Sequence, residues 1–290
     1  MNDKRSISNT VKSFYNKYPF PGFDINKYIS RDDLLKQATE YAKMIYMNIP
    51  YGKKIIDIGC GTGQFTCLLS LKASYVVGVD FSEASIKRAN ELKQRLGLKN
   101  IEFLVGNIEN LNIPQGKFNY VFCNGVLHHL KDQYKGFLNI CRFLDEGSYI
   151  IMGSYNKYGR IVFNMRKMLS KIISKNRNRP KIEEIKSKGI TGGVDAEKKS
   201  SWFLDQYFHP YEKTFTVSEI INWFNKNNIS YISSMPSIES IDSSRLFTRP
   251  FVEQAQRGSL LISLKYFFVQ LSWIWSLRNS GGYFVLIGRR

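Results

Sequence analysis

Residues 53–66 read Lys-Lys-Ile-Ile-Asp-Ile-Gly-Cys-Gly-Thr-Gly-Gln-Phe-Thr, and this stretch decides the fold. A short apolar run ending in glycines is the pattern of a buried strand that meets a tight turn. Gly59, Gly61 and Gly63 are spaced by one residue, so the backbone can turn sharply and approach a ligand without a Cβ in the way. The spacing of residues 64–72 is that of a helix packed on a sheet, and such a helix offers its first unpaired N–H groups to a negative group.

Working outward, residues 75–82 (YVVGVDFS) form a second apolar run, which ends in an acid. Residues 82–97 then predict a helix, with Ser82 as cap and Gly97 as stop. Residues 101–107 (IEFLVGN), 118–125 (FNYVFCNG) and 148–155 (SYIIMGSY) predict three more strands, the last preceded by a helix over 134–144. Strands and helices alternating at this rhythm imply a parallel, doubly wound sheet. Downstream, residues 216–227 predict a helix whose Thr216 and Glu219 have the capping-box spacing. Residues 229–238 and 283–290 add two strands. The expected fold is α/β: a doubly wound, mostly parallel, seven-stranded, Rossmann-like sheet with helical lid insertions. Its expected parts are an N-terminal lid or strap (1–50), a cofactor-binding core (51–156), a basic lid insertion (157–215), and the C-terminal part of the sheet (216–290) with an apolar helical insertion at 239–281.

The chain has 290 residues, 42 Lys+Arg against 24 Asp+Glu, and 43% hydrophobic residues, which excludes a disordered or fibrous protein. Cys60, Cys67, Cys123 and Cys141 lack the spacing of a disulfide framework or a zinc site. No apolar run follows the charged start, so a reduced, cytoplasmic setting is expected. The charge of +18 is uneven: residues 157–181 hold nine basic groups and no acid. Such a block attracts anions, or is simply a solvated helix face.

Two details narrow the ligand of the glycine turn. A dinucleotide fingerprint places its third glycine at 64, where Gln64 stands. Asp57, two residues before Gly59, suits a ligand with a positive group, and Asp80, 21 residues beyond Gly59, suits a ribose with two hydroxyls. A nucleoside with an ammonium, a sulfonium and a carboxylate meets all three conditions: S-adenosylmethionine. The segments IIDIGCGTGQFT, VVGVDFS, VGNIENLNIP, FNYVFCNGVLHHL and FLDEGSYIIMG, in this order over residues 53–156, resemble the successive motifs of class I S-adenosylmethionine-dependent methyltransferases. The VLHHL segment is similar to that of enzymes acting on small molecules and quinones. Two departures are the turn Asp145–Ser148, where the family usually has a proline and two glycines, and Asn107, where an acid is commoner.

The resemblance implies that Gly59, Cys60, Gly61 and Gly63 shape the loop under the methionine part, with the Gly61 N–H meeting its carboxylate. It implies Asp80 at the ribose, Phe81 against the adenine, Asn107 and Ile108 at the adenine edge, and Asn124 at the methionine end. It also implies an N-terminal segment over the cofactor. Residues 13–23 (SFYNKYPFPGF) read as an extended aromatic strap because Pro19 and Pro21 oppose a helix, with Tyr15 and Tyr18 as the water-excluding candidates.

Methyl transfer needs a base only when the acceptor must lose a proton. His128 and His129 follow the fourth strand and border the expected methyl site; each is a candidate base or a structural residue. His209 stands among Asp205, Tyr207, Tyr211 and Glu212, a polar group fit for an acceptor pocket, or for a plain His–Pro turn. The spacing gives no metal triad. The expected partner is a small-molecule or lipid-like acceptor. An RNA acceptor is the alternative raised by the charge, although CNGV at 123–126 lacks the Asn/Asp-Pro-Pro-aromatic run of amino-methylating base enzymes. Binding of the cofactor without activity is a further alternative.

Residues 161–173 place Ile161, Met165, Met168, Leu169 and Ile172 on one helical stripe with Arg166, Lys167 and Lys171 off it, as suits a membrane surface, a nucleic acid or the core. Residues 259–277 are largely apolar but interrupted by Lys265 and Gln270, which predicts a buried or membrane-grazing lid helix. A lid with an apolar inner face and a basic rim suits an acceptor that is anionic and partly greasy, and allows a peripheral membrane contact.

Overall fold

The computed structural model describes residues 2–111, 113, 116–174, 196–238, 251, 260–277 and 281–290. The sheet has seven strands: β1 (Lys54–Ile58), β2 (Tyr75–Asp80), β3 (Ile101–Val105), β4 (Phe118–Asn124), β5 (Leu144–Tyr155), β6 (Ser230–Met235) and β7 (Tyr283–Arg289). Their order is β3-β2-β1-β4-β5-β7-β6. The first five are parallel, and β7 runs antiparallel between β5 and β6. The order in which strands are added therefore reverses between β1 and β4, the place where such sheets open a ligand crevice at their carboxyl ends.

The central strands read as largely apolar runs because both of their faces are covered. Ile56, Ile58, Val77, Val79 and Val121 enter one core, and Ile55, Val76, Tyr120 and Phe122 enter the core on the opposite face. Helices α4 (Gln64–Ser70), α5 (Glu83–Arg95) and α6 (Gln133–Cys141) connect the parallel strands. Ser82 caps α5 by accepting from Ser85 N, and Thr216 with Glu219 forms the expected capping box on α9 (Val217–Lys226).

The N-terminal part is more helical than expected. α1 (Asn2–Lys17), α2 (Asp32–Lys36) and α3 (Glu40–Asn48) precede the sheet. Tyr15 therefore lies on a helix, not on an extended strap. Pro19 and Pro21 restrict only their own neighbours, and the helix simply ends at Lys17 before them. The extended strap is confined to about residues 18–23 and lies on the glycine turn: the Phe20 carbonyl accepts from Thr62 N at 3.2 Å, and the Pro21 carbonyl from Thr62 Oγ1 at 2.6 Å.

The basic insertion contributes α7 (Ile161–Ser174) and α8 (Ala196–Phe208), and α10 (Leu260–Ser276) precedes β7. The residues around His209 thus follow a helix not foreseen from the sequence. The expected apolar insertion at 239–281 is described only at 251, 260–277 and 281; its other residues, and the basic positions 175–181, lie outside the described residues.

Candidate active site

A cavity of about 490 Å³ opens at the carboxyl ends of β1, β2, β4 and β5. Most of the residues singled out in the sequence line it: Tyr15, Asp57, Gly59, Cys60, Gly61, Asp80, Phe81, Asn107, Ile108, Asn124, His128 and His129. Gly63 and His209 do not. A Cβ at Gly63 would stand 2.6 Å from Ala89 Cβ and 2.8 Å from Phe103, so this glycine lets α4 pack against α5 and β3, while its φ of +80° completes the glycine turn. Tyr18 lies outside the lining and packs on Phe14.

At the glycine turn, the Gly61 N–H donates to Asp80 Oδ2 at 3.0 Å, and Ser82 N donates to Asp80 Oδ1 at 2.9 Å. The Gly61 amide is therefore already engaged, contrary to the expectation that it meets a ligand carboxylate. Asp80 itself is fixed with a further lone pair on each oxygen. Burial raises its carboxyl to about 6. Asp57 is buried behind the turn, takes a hydrogen bond from Thr66 Oγ1 at 2.6 Å, and is raised by burial to about 7. Asn124 donates from Nδ2 to the Tyr41 hydroxyl at 3.1 Å, while its buried Oδ1 has no partner among the described residues. Asn107 Oδ1 accepts from Glu109 N at 3.0 Å, which sets the turn that carries Ile108.

This end of the cavity fits the cofactor inferred above. An orphaned buried acceptor and a buried carboxylate suit an ammonium, and the fixed pair of oxygens on Asp80 suits two adjacent hydroxyls.

The other end is built by three distant segments. α1 supplies Tyr15, the 3-10 turn Leu127–His129 supplies the histidine pair, and α8 supplies Trp202, Asp205 and Gln206. Tyr15 Oη lies 2.7 Å from Asp205 Oδ1 and 3.1 Å from His129 Nε2. His129 Nδ1 lies 3.0 Å from the Tyr211 carbonyl, which fixes the ring proton on that nitrogen. His128 is buried with Nδ1 3.2 Å from Ser154 Oγ. His209 stacks on His129 with ring centroids 3.6 Å apart. Its Nδ1 accepts from Tyr211 N at 3.2 Å, and its buried Nε2 has no partner among the described residues.

Burial depresses all three imidazoles, His129 to about 4 despite the Tyr211 carbonyl, and raises the Asp205 carboxyl and the Tyr15 phenol. Tyr207 packs on Phe163 and Phe203, and Glu212 pairs with the fully buried Arg160 at 2.7 Å, so neither joins the cavity.

Tyr41, Tyr155, Tyr283, Trp202 and Gln206 also line the cavity and were not foreseen. The sequence held one signal for two of them, because Tyr155 ends β5 and Trp202 stands one helical turn before Asp205. His129, Asp205 and His209 bring ligand-type atoms within 4.8 Å of one another, a grouping that the spacing did not reveal. It is poorly shaped for a metal. An ion must lie close to the plane of each imidazole that binds it, and two stacked planes 25° apart share no such point beside the rings. Tyr15 also already occupies His129 Nε2 and Asp205 Oδ1.

Known proteins agree with this architecture. A family model described as a methyltransferase domain matches residues 50–227. An uncharacterised protein of Synechococcus is 23% identical over 78% of this chain and 60% of its own length. A demethylmenaquinone methyltransferase of Listeria welshimeri is 28% identical over 44% of this chain and 55% of its own length. The chain thus spans less than two thirds of the length of these relatives. Among solved structures, PKMT2 of Rickettsia typhi in complex with AdoHcy superposes with a TM-score of 0.57 at 17% identity, covering 94% of this chain and 55% of that one, which shows a shared fold. Cavity, strand order and family model converge: the chain belongs to the S-adenosylmethionine-dependent methyltransferase domain family.

Proposed function

We propose that the protein methylates a small or lipid-like acceptor whose nucleophilic atom loses a proton during transfer. The observation that carries this reading is the bridging position of Tyr15 between His129 and Asp205, in the same cavity as Asp57, Asp80 and Asn124. When bound, the cofactor supplies an electrophilic methyl group on a sulfonium. Asp80 holds the ribose hydroxyls, and Asp57 with Asn124 Oδ1 holds the ammonium.

Proton counting assigns the other end. Tyr15 has one phenolic hydrogen and faces two acceptors, Nε2 of His129 and Oδ1 of Asp205. Both bonds are complete only when the trio carries one more proton, held either as imidazolium or as the Asp205 acid. The trio is thus arranged to take up a proton, and burial, which raises the Asp205 carboxyl and depresses His129, directs that proton to Asp205. An acceptor hydroxyl, thiol or amine placed against Tyr15 and His129 delivers that proton. The described lining carries Asp57, Asp80, Glu109 and Asp205 against Lys131. Its interior therefore suits a neutral or cationic group, and the anionic acceptor expected from the basic insertion would have its charge outside.

The test offers methyl-labelled cofactor with quinols, hydroxylated aromatics, amines, a lipid extract and RNA. Label should appear in a small-molecule or lipid fraction and disappear in Tyr15→Phe, while cofactor affinity by calorimetry stays unchanged. Label found in RNA alone would sink the reading.

A further inference from the structure

We propose that α7 and α10 form a docking face for the surface of an anionic lipid bilayer, with the outer stripe of each helix set into the headgroup layer. α10 is apolar on two opposite sides, with Lys265, Ser272 and Ser276 between them. Tyr266, Val269, Trp273 and Leu277 are buried against the sheet side. On the opposite side Leu264, Phe268, half-buried Leu271 and Trp275 recur at helical spacing, with Phe268 62% and Trp275 69% exposed. A water-facing helix normally carries polar residues there.

α7 behaves the same way. Its stripe of Ile161, Met165 and Met168 faces outward, Met168 being 58% exposed, and only Phe163 of the described part is buried. The two helices are in contact, and Tyr158, just before α7, meets Phe267 of α10 edge to face at 5.6 Å.

The charges choose the occupant. α7 and α10 together carry four basic residues, Arg166, Lys167, Lys171 and Lys265, and no acid. A second copy of the chain related by a two-fold axis would set these like charges against each other, in a protein of net charge +18. An anionic bilayer instead meets the cations with headgroups and the aromatic and aliphatic stripe with acyl chains. No described helix is long and apolar enough to cross a membrane, so the contact is a surface one.

The face adjoins the cavity. α7 packs on α8 through Phe163 and Tyr207, with centroids 4.9 Å apart, and Lys167 Nζ donates to the Gln206 carbonyl at 3.2 Å. α8 in turn carries Trp202, which lines the cavity and is 40% exposed. Docking would therefore bring the cavity cover to the membrane, where a lipid-like acceptor resides. The inference does not depend on the methyl-transfer chemistry, because its readout is lipid binding.

The test is co-sedimentation of the full chain with vesicles of phosphatidylglycerol and phosphatidylcholine, against phosphatidylcholine alone. Binding should require the anionic lipid and fade as salt rises from about 0.05 M to about 0.5 M. Phe268→Ser with Trp275→Ser should weaken it at least about tenfold, with cofactor affinity unchanged as the control for folding. Arg166→Gln with Lys265→Gln, which leaves the apolar stripe intact, should weaken it about fivefold or more. Brominated lipid should quench wild-type fluorescence more than that of Trp275→Phe. The proposal is overturned if the wild type ignores anionic vesicles at low salt, if both double variants bind like the wild type, or if the stripe variants dissociate a dimer that binds no vesicles.

Discussion

The phenol of Tyr15 and the carboxylate of Asp205, 190 residues apart in the chain, meet at 2.7 Å inside the cavity. Tyr15 belongs to the first helix and Asp205 to α8, and neither helix is part of the alternating strand–helix core. The proposed base end of the site is therefore assembled from the two segments that close over the core, while the proposed cofactor end is assembled from strand ends. Tyr15→Phe removes the shared hydroxyl and little volume. We expect turnover to fall about 10²–10³-fold with cofactor affinity unchanged in calorimetry. An equal loss of affinity would instead make Tyr15 a residue that covers the cofactor.

The histidine pair separates by partner. His129 contacts the bridging phenol, whereas His128 Nδ1 is tied to Ser154 on β5. His129→Gln should lower turnover about 10²–10⁴-fold. His128→Gln should act chiefly on stability, costing about 1–3 kcal/mol through a buried polar group left mispaired. Turnover of both variants, set beside their denaturant midpoints, checks the division of roles. If His128→Gln were the one to lose turnover at full stability, the assignment would be reversed.

The cofactor end predicts a pH dependence. Asp80, raised to about 6, and Asp57, raised to about 7, must be ionised to hold hydroxyls and a cation. Affinity for S-adenosylmethionine should fall as pH drops through 7 and then 6, by up to about tenfold per unit for each carboxylate. Asp57→Asn should remove the upper step, and Asp80→Ala should cost about 1.5–3 kcal/mol at pH 8. Calorimetry across pH 5–8 reads both effects.

Stability follows different signs. The raised carboxyls favour the folded state most below their ordinary 3.8, and that contribution is lost as pH rises through 6 and 7. His129, lowered from 6.5 to about 4, works the other way: its contribution is present above 6.5 and lost as pH falls towards 4. Denaturant unfolding of His129→Asn should therefore lose less stability between pH 6.5 and 5 than the wild type.

The sheet was legible because its strands are buried on both faces, so that Ile55–Ile58, broken only by Asp57, and Val76–Val79 stand out as apolar runs next to glycine turns. Asp57, Asp80 and Asn124 were legible for a related reason, since each sits at a strand end facing the crevice. What stayed hidden depends on tertiary contact. No local pattern joins residues 15, 129 and 205, and α1 was masked by prolines that act only after Lys17. In α8 the dense aromatics of residues 202–208 concealed the turn spacing that sets Trp202 and Asp205 on one face. The outward stripe of α7 was visible as a stripe, but whether it faced core or solvent is decided by Phe163, the residue between its members, which is buried.

Gly61 links the strap, the turn and the Asp80 carboxylate, and its replacement tests all three. Its φ is +54°, a region that costs an L-residue about 1–2 kcal/mol. A Cβ built there would stand 2.1 Å from the Phe20 carbonyl oxygen, well inside contact distance. That carbonyl also accepts from Thr62 N, so Gly61→Ala must push back the strap and strain the bonds from Thr62 to Phe20 and Pro21, at about 1 kcal/mol each. The expected loss is about 2–4 kcal/mol of stability, with faster proteolysis at residues 18–23. Gly52→Ala is the control: its φ is +76°, but open space surrounds the new Cβ, so only the backbone cost of about 1–2 kcal/mol applies. Because the strap begins three residues after Tyr15, Gly61→Ala should also lower turnover by more than the loss of cofactor affinity explains. Equal midpoints for the two alanine variants, with the strap equally protected from protease, would show that the close approach of Phe20 to Gly61 does not hold the strap in place.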